Sequence, residues 1–187
     1  MFQGVPVNRQ IALSAVGRDQ PGIVAALSKV FFENQCNLED SSMTRLGGDF
    51  AILLLVSLPG GKTPDDLKKA VEPVAQKWGL TFSMRELPEE ETAPGAPPSL
   101  PFTLVVYGVD HPGIVYRVAQ TASEDKVNIT DLRTHVTPGA QGPLYSLVME
   151  MEVPGTAAAE SFGRKLEALK KELKVEITLK PVDADEL

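Results

Sequence analysis

The sequence predicts an α+β protein made of two copies of one βαββαβ unit, and three observations carry that expectation. The chain has 187 residues, which is room for one ordinary domain or two small ones. A turn motif occurs twice: Gly17-Arg18-Asp19-Gln20-Pro21-Gly22-Ile23-Val24 lies over Gly108-Val109-Asp110-His111-Pro112-Gly113-Ile114-Val115 at an offset of 91, identical at six of eight positions. Between the copies, residues 86–101 hold five prolines and four glutamates, the composition of an extended linker. The expected organisation is a first unit over residues 1–85, a linker over 86–101 and a second unit over 102–187.

Each unit should begin with a strand, 9–16 and 102–107, since these short apolar stretches end at Gly17 and Gly108. A helix follows, with Pro21 and Pro112 in its first turn, where a missing N–H costs little. Its inward stripe is Ile23, Val24, Leu27, Val30 and Phe31, repeated by Ile114, Val115, Val118 and Ala122. Two strands come next, 37–46 and 49–58, joined by the hairpin signal Gly47-Gly48. Their counterparts are 127–137 and 144–153, with a longer loop near Pro138 to Pro143.

The second helix has Thr63 as its cap and Pro64 at its first position, with Leu67, Val71, Val74 and Trp78 facing inward. Pro73 falls inside it and should bend or divide it. Phe162, Leu166, Leu169 and Leu173 form the matching stripe of the second copy. Closing strands are expected near 80–87 and 175–182. The run Phe50 to Val56 is apolar at successive positions where its counterpart Leu147 to Val153 carries two glutamates, so the first unit's outer sheet face should pack on another surface, either the second unit or another chain.

Composition narrows the function classes. With 18 basic and 25 acidic residues the net charge is −7, which opposes binding to a phosphate backbone. Residues 1–85 are nearly neutral, and the excess acid lies in the linker and second half. One cysteine and two histidines are too few for a disulfide framework or a typical structural zinc site. The opening residues show no basic region followed by an apolar stretch, and no apolar run approaches a membrane span. A cytoplasmic, non-membrane protein without metal or cofactor is expected.

The repeated turn offers chemistry suited to a free amino acid. The free N–H groups of a helix start attract a carboxylate, and Gly22 or Gly113 would let a small ligand approach the backbone. Asp19 or Asp110, with Asn37 or Asn128, could accept hydrogen bonds from an ammonium group. The same residues also suit a purely structural strand-to-helix turn, and duplication does not separate the two readings.

These residues resemble a known family. The repeated turn, the Asn-(Leu/Ile)-x-Asp opening of the next strand and the element order look like paired ACT domains. Asp19 to Val24, Asn37, Asp40-Ser41-Ser42-Met43 and Leu46 to Ala51 resemble, more narrowly, the glycine cleavage system transcriptional repressor group. The resemblance implies a ferredoxin-like sandwich in each half, two helices over one face of a four-stranded antiparallel sheet. It implies amino-acid binding, often across an interface between two such domains, with candidate contacts Asp19, Gln20, Pro21, Gly22, Ile23 and Asn37, then Asp110, His111, Pro112, Gly113, Ile114 and Asn128. It further implies a homo-oligomer such as a dimer, and a regulator that contacts a separate DNA-binding protein instead of DNA. Glycine and serine are the candidate ligands. The alternatives are a ligand-independent interaction module and a detached regulatory subunit of an amino-acid enzyme. No catalytic residues are expected.

Other motifs carry less. Gly61-Lys62-Thr63 lacks the first glycine of a phosphate-binding loop and suits a loop and helix cap. Cys36 has no evident base and suits a structural thiol. His111 faces the non-titrating Gln20 in the alignment of the copies, which argues against a shared acid–base role. His135 should be an exposed strand residue, and the Lys/Arg/Glu run from 160 to 174 a solvated helix face.

Overall fold

The computed structural model describes residues 9–88, 99–139 and 142–182. The chain divides into two compact units, Met1–Pro94 and Gly95–Leu187, each with its own core. The first comprises β1 (Gln10–Arg18), α1 (Ile23–Glu33), β2 (Asn37–Leu46), β3 (Asp49–Ser57), α2 (Pro64–Trp78) and β4 (Thr81–Leu87). The second comprises β5 (Leu100–Val109), α3 (Ile114–Glu124), β6 (Asn128–Thr137), β7 (Leu144–Val153), α4 (Thr156–Leu173) and β8 (Glu176–Pro181). Both are α+β, with antiparallel sheets in the orders β2-β3-β1-β4 and β6-β7-β5-β8. This is the expected ferredoxin-like sandwich, twice. The 86–101 segment is shorter than expected at both ends, since β4 continues to Leu87 and β5 starts at Leu100; residues 89–98 lie outside the described residues.

Strand alternation and helical period meet on one face of each sheet. In the first unit Ile11, Leu13 and Ala15 of β1 and Phe50, Ile52, Leu54 and Val56 of β3 are buried under Ile23, Leu27, Val30 and Phe31 of α1 and Leu67, Val71 and Ala75 of α2. Val24, expected to face inward, is 46% exposed, because a stripe this narrow leaves it beside the apolar arc. In the second unit Phe162, Leu166, Leu169 and Leu173 all reach the core as expected. The Gly47-Gly48 hairpin has φ of 61° and 96°, the paired positive values of a type I′ turn. Its longer counterpart includes residues 140–141, outside the described residues.

α2 runs unbroken through Pro73, contrary to a divided helix. Pro73 and Lys69 are both exposed, so the carbonyl that lacks its partner can turn to water at little cost. The helix start is well made: Thr63 Oγ1 accepts from the Asp66 N–H, and the Asp66 carboxylate accepts from the Thr63 N–H at 2.9 Å. Gly61-Lys62-Thr63 therefore serves as loop and cap, with the Lys62 ammonium donating to Asn34 Oδ1 at 2.6 Å.

Gly17 and Gly108 mark where the first strand of each unit is crossed closely. A methyl group on Gly17 would lie 2.7 Å from Leu80 Cδ2 and 2.8 Å from the Gly79 carbonyl oxygen; on Gly108 it would lie 2.7 Å from Val175 Cγ1. Gly17→Ala and Gly108→Ala should each lower stability by about 1–3 kcal/mol through overpacking. Urea denaturation of each variant, followed by circular dichroism, checks this; an unchanged midpoint would remove the close-approach role.

Candidate functional site

Each repeated turn is shaped by a Pro-Gly pair. Gly22 and Gly113 are the N-caps of α1 and α3, both at φ 103° with ψ near −10°. Pro21 and Pro112 therefore precede the helix and do not occupy its first turn. The reason is local: proline at the second and glycine at the third position define a type II turn, and only glycine takes the positive φ cheaply. In the first unit the Ile23 N–H points back to the Gln20 carbonyl at 3.5 Å. Ile23 and Ile114 themselves are buried, with side chains anchoring the turns in the core.

Neither N-cap supplies a side-chain acceptor, and neither helix has an acidic residue in its first turn. The contrast with α2 is direct, since α2 has both. The starts of α1 and α3 thus present N–H groups and the positive end of the helix dipole without an internal anion. The turns are tethered to the neighbouring hairpins by backbone hydrogen bonds, Asp19 N–H to Gly48 O at 3.0 Å and Asp110 N–H to Pro143 O at 2.9 Å.

The two copies are roofed differently. A methyl group on Gly22 would lie 2.9 Å from Trp78 Cη2, so the indole at the end of α2 covers the first turn. Gly113 has nothing within 4 Å of the same position. An open concavity of about 500 Å³ lies there, lined by His111, Pro112, Gly113, Ile114, Val115, Tyr116 and Tyr145. Beside the first turn the concavity is displaced to the hairpin and lined by Arg18, Asp19, Arg45, Gly47, Gly48 and Asp49. Asp19 pairs with Arg45 at 3.4 Å, and Gln20 and Pro21 are exposed. Asp110 is exposed, and its charge acts on His111 and Tyr145, both of which line the open concavity.

Asn37 and Asn128 are not brought to these turns. Asn37 pairs across from Ser57 and Asn128 from Glu152, whereas the turns adjoin the opposite ends of the sheets, at Asp49 and Leu144. Asn37 Nδ2 donates to Glu39 Oε1 at 3.0 Å. The first helix of each unit carries the chain from the turn to the far end of the sheet, so β2 and β6 begin a strand's length from the hairpins. Sequence reasoning read Trp78 only as an inward-facing residue of α2 and did not single out Arg45, Tyr116 or Tyr145. The one available signal was the offset of 95 in the second helices, which sets Trp78 over Leu173.

Cys36 is half-buried, and burial pushes its thiol pKa up, opposed by the Lys62 charge. It is not an activated nucleophile. His135 lies exposed on β6 as expected. Among the described residues no group of three or more His, Cys, Asp or Glu could hold a metal, and no helix is long and apolar enough to cross a membrane.

His111 joins the second turn to the end of α4. Its Nδ1 lies 3.1 Å from the Pro112 carbonyl oxygen and its Nε2 2.9 Å from that of Leu173. A neutral imidazole donates to one of these; the imidazolium donates to both. The Pro112 and then the Leu173 carbonyl hold the pKa above its ordinary value, helped by Asp110 and opposed by desolvation. The stabilisation is therefore complete below about pH 6.5 and is lost as pH rises through the raised native value. Urea titrations of the wild type and His111→Gln across that range should show the wild type losing its advantage with rising pH; a constant difference would remove the clamp.

Comparison with known proteins agrees with this fold. The ACT domain family model matches residues 9–85. A UPF0237 protein of Methanocaldococcus jannaschii is 36% identical over 72 residues, covering 38% of this chain and 80% of its own. The glycine cleavage system transcriptional repressor of Escherichia coli is 24% identical over 176 residues, 92% of this chain and 90% of its own. A crystal structure of a Galdieria sulphuraria protein superposes with a TM-score of 0.82 at 28% identity, covering 94% of this chain and 99% of that one. With the turn, sheet order and duplicated unit in agreement, the chain belongs to the ACT-domain family, as a tandem of two such domains.

Proposed function

We propose that this protein is a non-enzymatic, amino-acid-responsive regulator that acts through a protein partner and not by direct binding to DNA. The observation that carries the reading is the second turn, an uncapped helix start at a left-handed glycine with open space above it, whose lining His111 and Tyr145 feel the Asp110 charge. A ligand carboxylate meets the α3 N–H groups, and its ammonium meets Asp110. Glycine and serine are the candidate ligands, suggested by the likeness to the glycine cleavage system repressor and not by the size of the open space. In the first turn Trp78 occupies the corresponding space and Arg45 already engages Asp19, so one ligand per chain is the expected stoichiometry. An Asn37 or Asn128 contribution requires a second copy of the unit, since neither reaches its own turn.

The regulatory role is supported by similarity to the Escherichia coli repressor over nearly the whole chain. The net charge of −7 favours a protein partner over a phosphate backbone. A ligand alters such a partnership only through different affinities for the two arrangements it links.

Isothermal titration with the standard amino acids tests the reading. One small amino acid should bind once per chain; Asp110→Asn should weaken it about tenfold or more, the scale of a lost charge-assisted hydrogen bond, while Asp19→Asn leaves it unchanged. Absence of heat at millimolar concentration would remove the sensing role and leave a ligand-independent interaction module. That second reading draws on the exposed Val16 and Leu53 of the first sheet's outer face.

A further inference from the structure

The outer face of the first sheet is ordered as a grid. Cross-strand pairing sets Asp40, Leu55, Ala12 and Arg85 on one rung from the β2 edge to the β4 edge. The next rung is Ser42, Leu53, Ser14 and Ser83, and the one after is Thr44, Ala51, Val16 and Thr81. Asp49 and Arg18 stand side by side on the rung beyond. Leu53 is 55% and Val16 50% exposed, and Leu55, Ala12, Ala51 and Ser14 are part-buried. The acid stands at one edge and the base at the other.

That arrangement is complementary to itself. Two such faces related by a two-fold axis parallel to the strands place β3 over β1 and β2 over β4. Leu55 then meets the second copy's Ala12, Leu53 its Ser14 and Ala51 its Val16, a large residue against a small one each time. Asp40 meets the second copy's Arg85, and Asp49 its Arg18, both pairs occurring twice by symmetry. Sheets packed face to face lie about 10 Å apart with strands nearly aligned, a gap these side chains span. An axis across the strands would set Asp40 against Thr44 and lose the charge pairing.

We infer that the outer face of the first sheet is a homodimer interface, closed by an identical face with β2 over β4 and β3 over β1. The second unit's corresponding face is unsuited to the same contact. Glu150 stands where Leu55 does, and Tyr107 and Ser146 where Val16 and Ala51 do. A carboxylate in the middle of a dry sheet contact loses its water without a paired cation. Four strands and four rungs cover about 20 by 20 Å of sheet, a small footprint beside the roughly 800 Å² per partner of a standard interface, so the dimer dissociates on dilution.

Sedimentation velocity on the full chain from about 1 to 200 μM tests the interface by mass action. The wild type should shift from monomer to dimer across that range. Leu53→Glu should raise the dissociation constant about tenfold or more by burying an unpaired charge, and Asp40→Arg or Arg85→Asp should each raise it several-fold. The double variant Asp40→Arg with Arg85→Asp should restore wild-type association, because each reversed charge again meets its opposite. Circular dichroism confirms that these surface variants are folded. A wild type monomeric throughout, association indifferent to Leu53→Glu, or a double variant weaker than both single ones would overturn the proposal. The last outcome points to a different face opposite this sheet.

Discussion

Both units depend on a backbone conformation that glycine alone adopts without strain. At φ 103°, Gly22 and Gly113 turn the chain from strand into helix in the space of a Pro-Gly pair. The same geometry leaves the helix without a side-chain cap, exposes its first N–H groups and seats Ile23 and Ile114 in the core. Gly17 and Gly108 complete the arrangement, letting the chain that leaves the second helix cross the end of the first strand at close range. With the turn held from below by an isoleucine and from the side by the hairpin, its position is a rigid property of the fold.

The two copies share this frame and diverge on the surfaces that surround it. Trp78 covers the first turn, while its counterpart Leu173 is buried and offers only a backbone carbonyl, taken by His111. The outer sheet faces diverge as well, apolar and edge-charged in the first unit and carrying Glu150 and Glu152 on β7 in the second. A core tolerates little change once packed, whereas a roof residue or an outer-face residue changes without disturbing it. The divergence accordingly separates one open turn from one closed turn, and one apolar face from one acidic face.

Much of this frame was legible in the residues. The offset of 91, the short apolar stretches that end at Gly17 and Gly108 and the helical stripes led to the right element order, since apolar runs and helical period report burial. The prediction that the Phe50–Val56 run has an apolar outer face as well is consistent with exposed Leu53 and part-buried Leu55. Helix boundaries at the turn were less legible. Proline suits both the first helical turn and the second position of a type II turn, and only the positive φ of the following glycine separates them. Pro73 does not divide α2, and its cost depends on whether the freed carbonyl faces water or core. Asn37 stands a strand's length from its own turn because α1 carries the chain to the far end of the sheet, a placement that no local pattern states.

What the sequence alone determined was the duplicated βαββαβ order, the Pro-Gly turns and the apolar faces, because each follows from local conformational preference and short-range periodicity. The tertiary structure alone decided which turn is open, where Asn37 and Asn128 stand, and that Asp40 and Arg85 share a rung across four strands. These facts join residues tens of positions apart through strand register and the ends of helices, and no local pattern encodes a register between strands that are not neighbours in the chain.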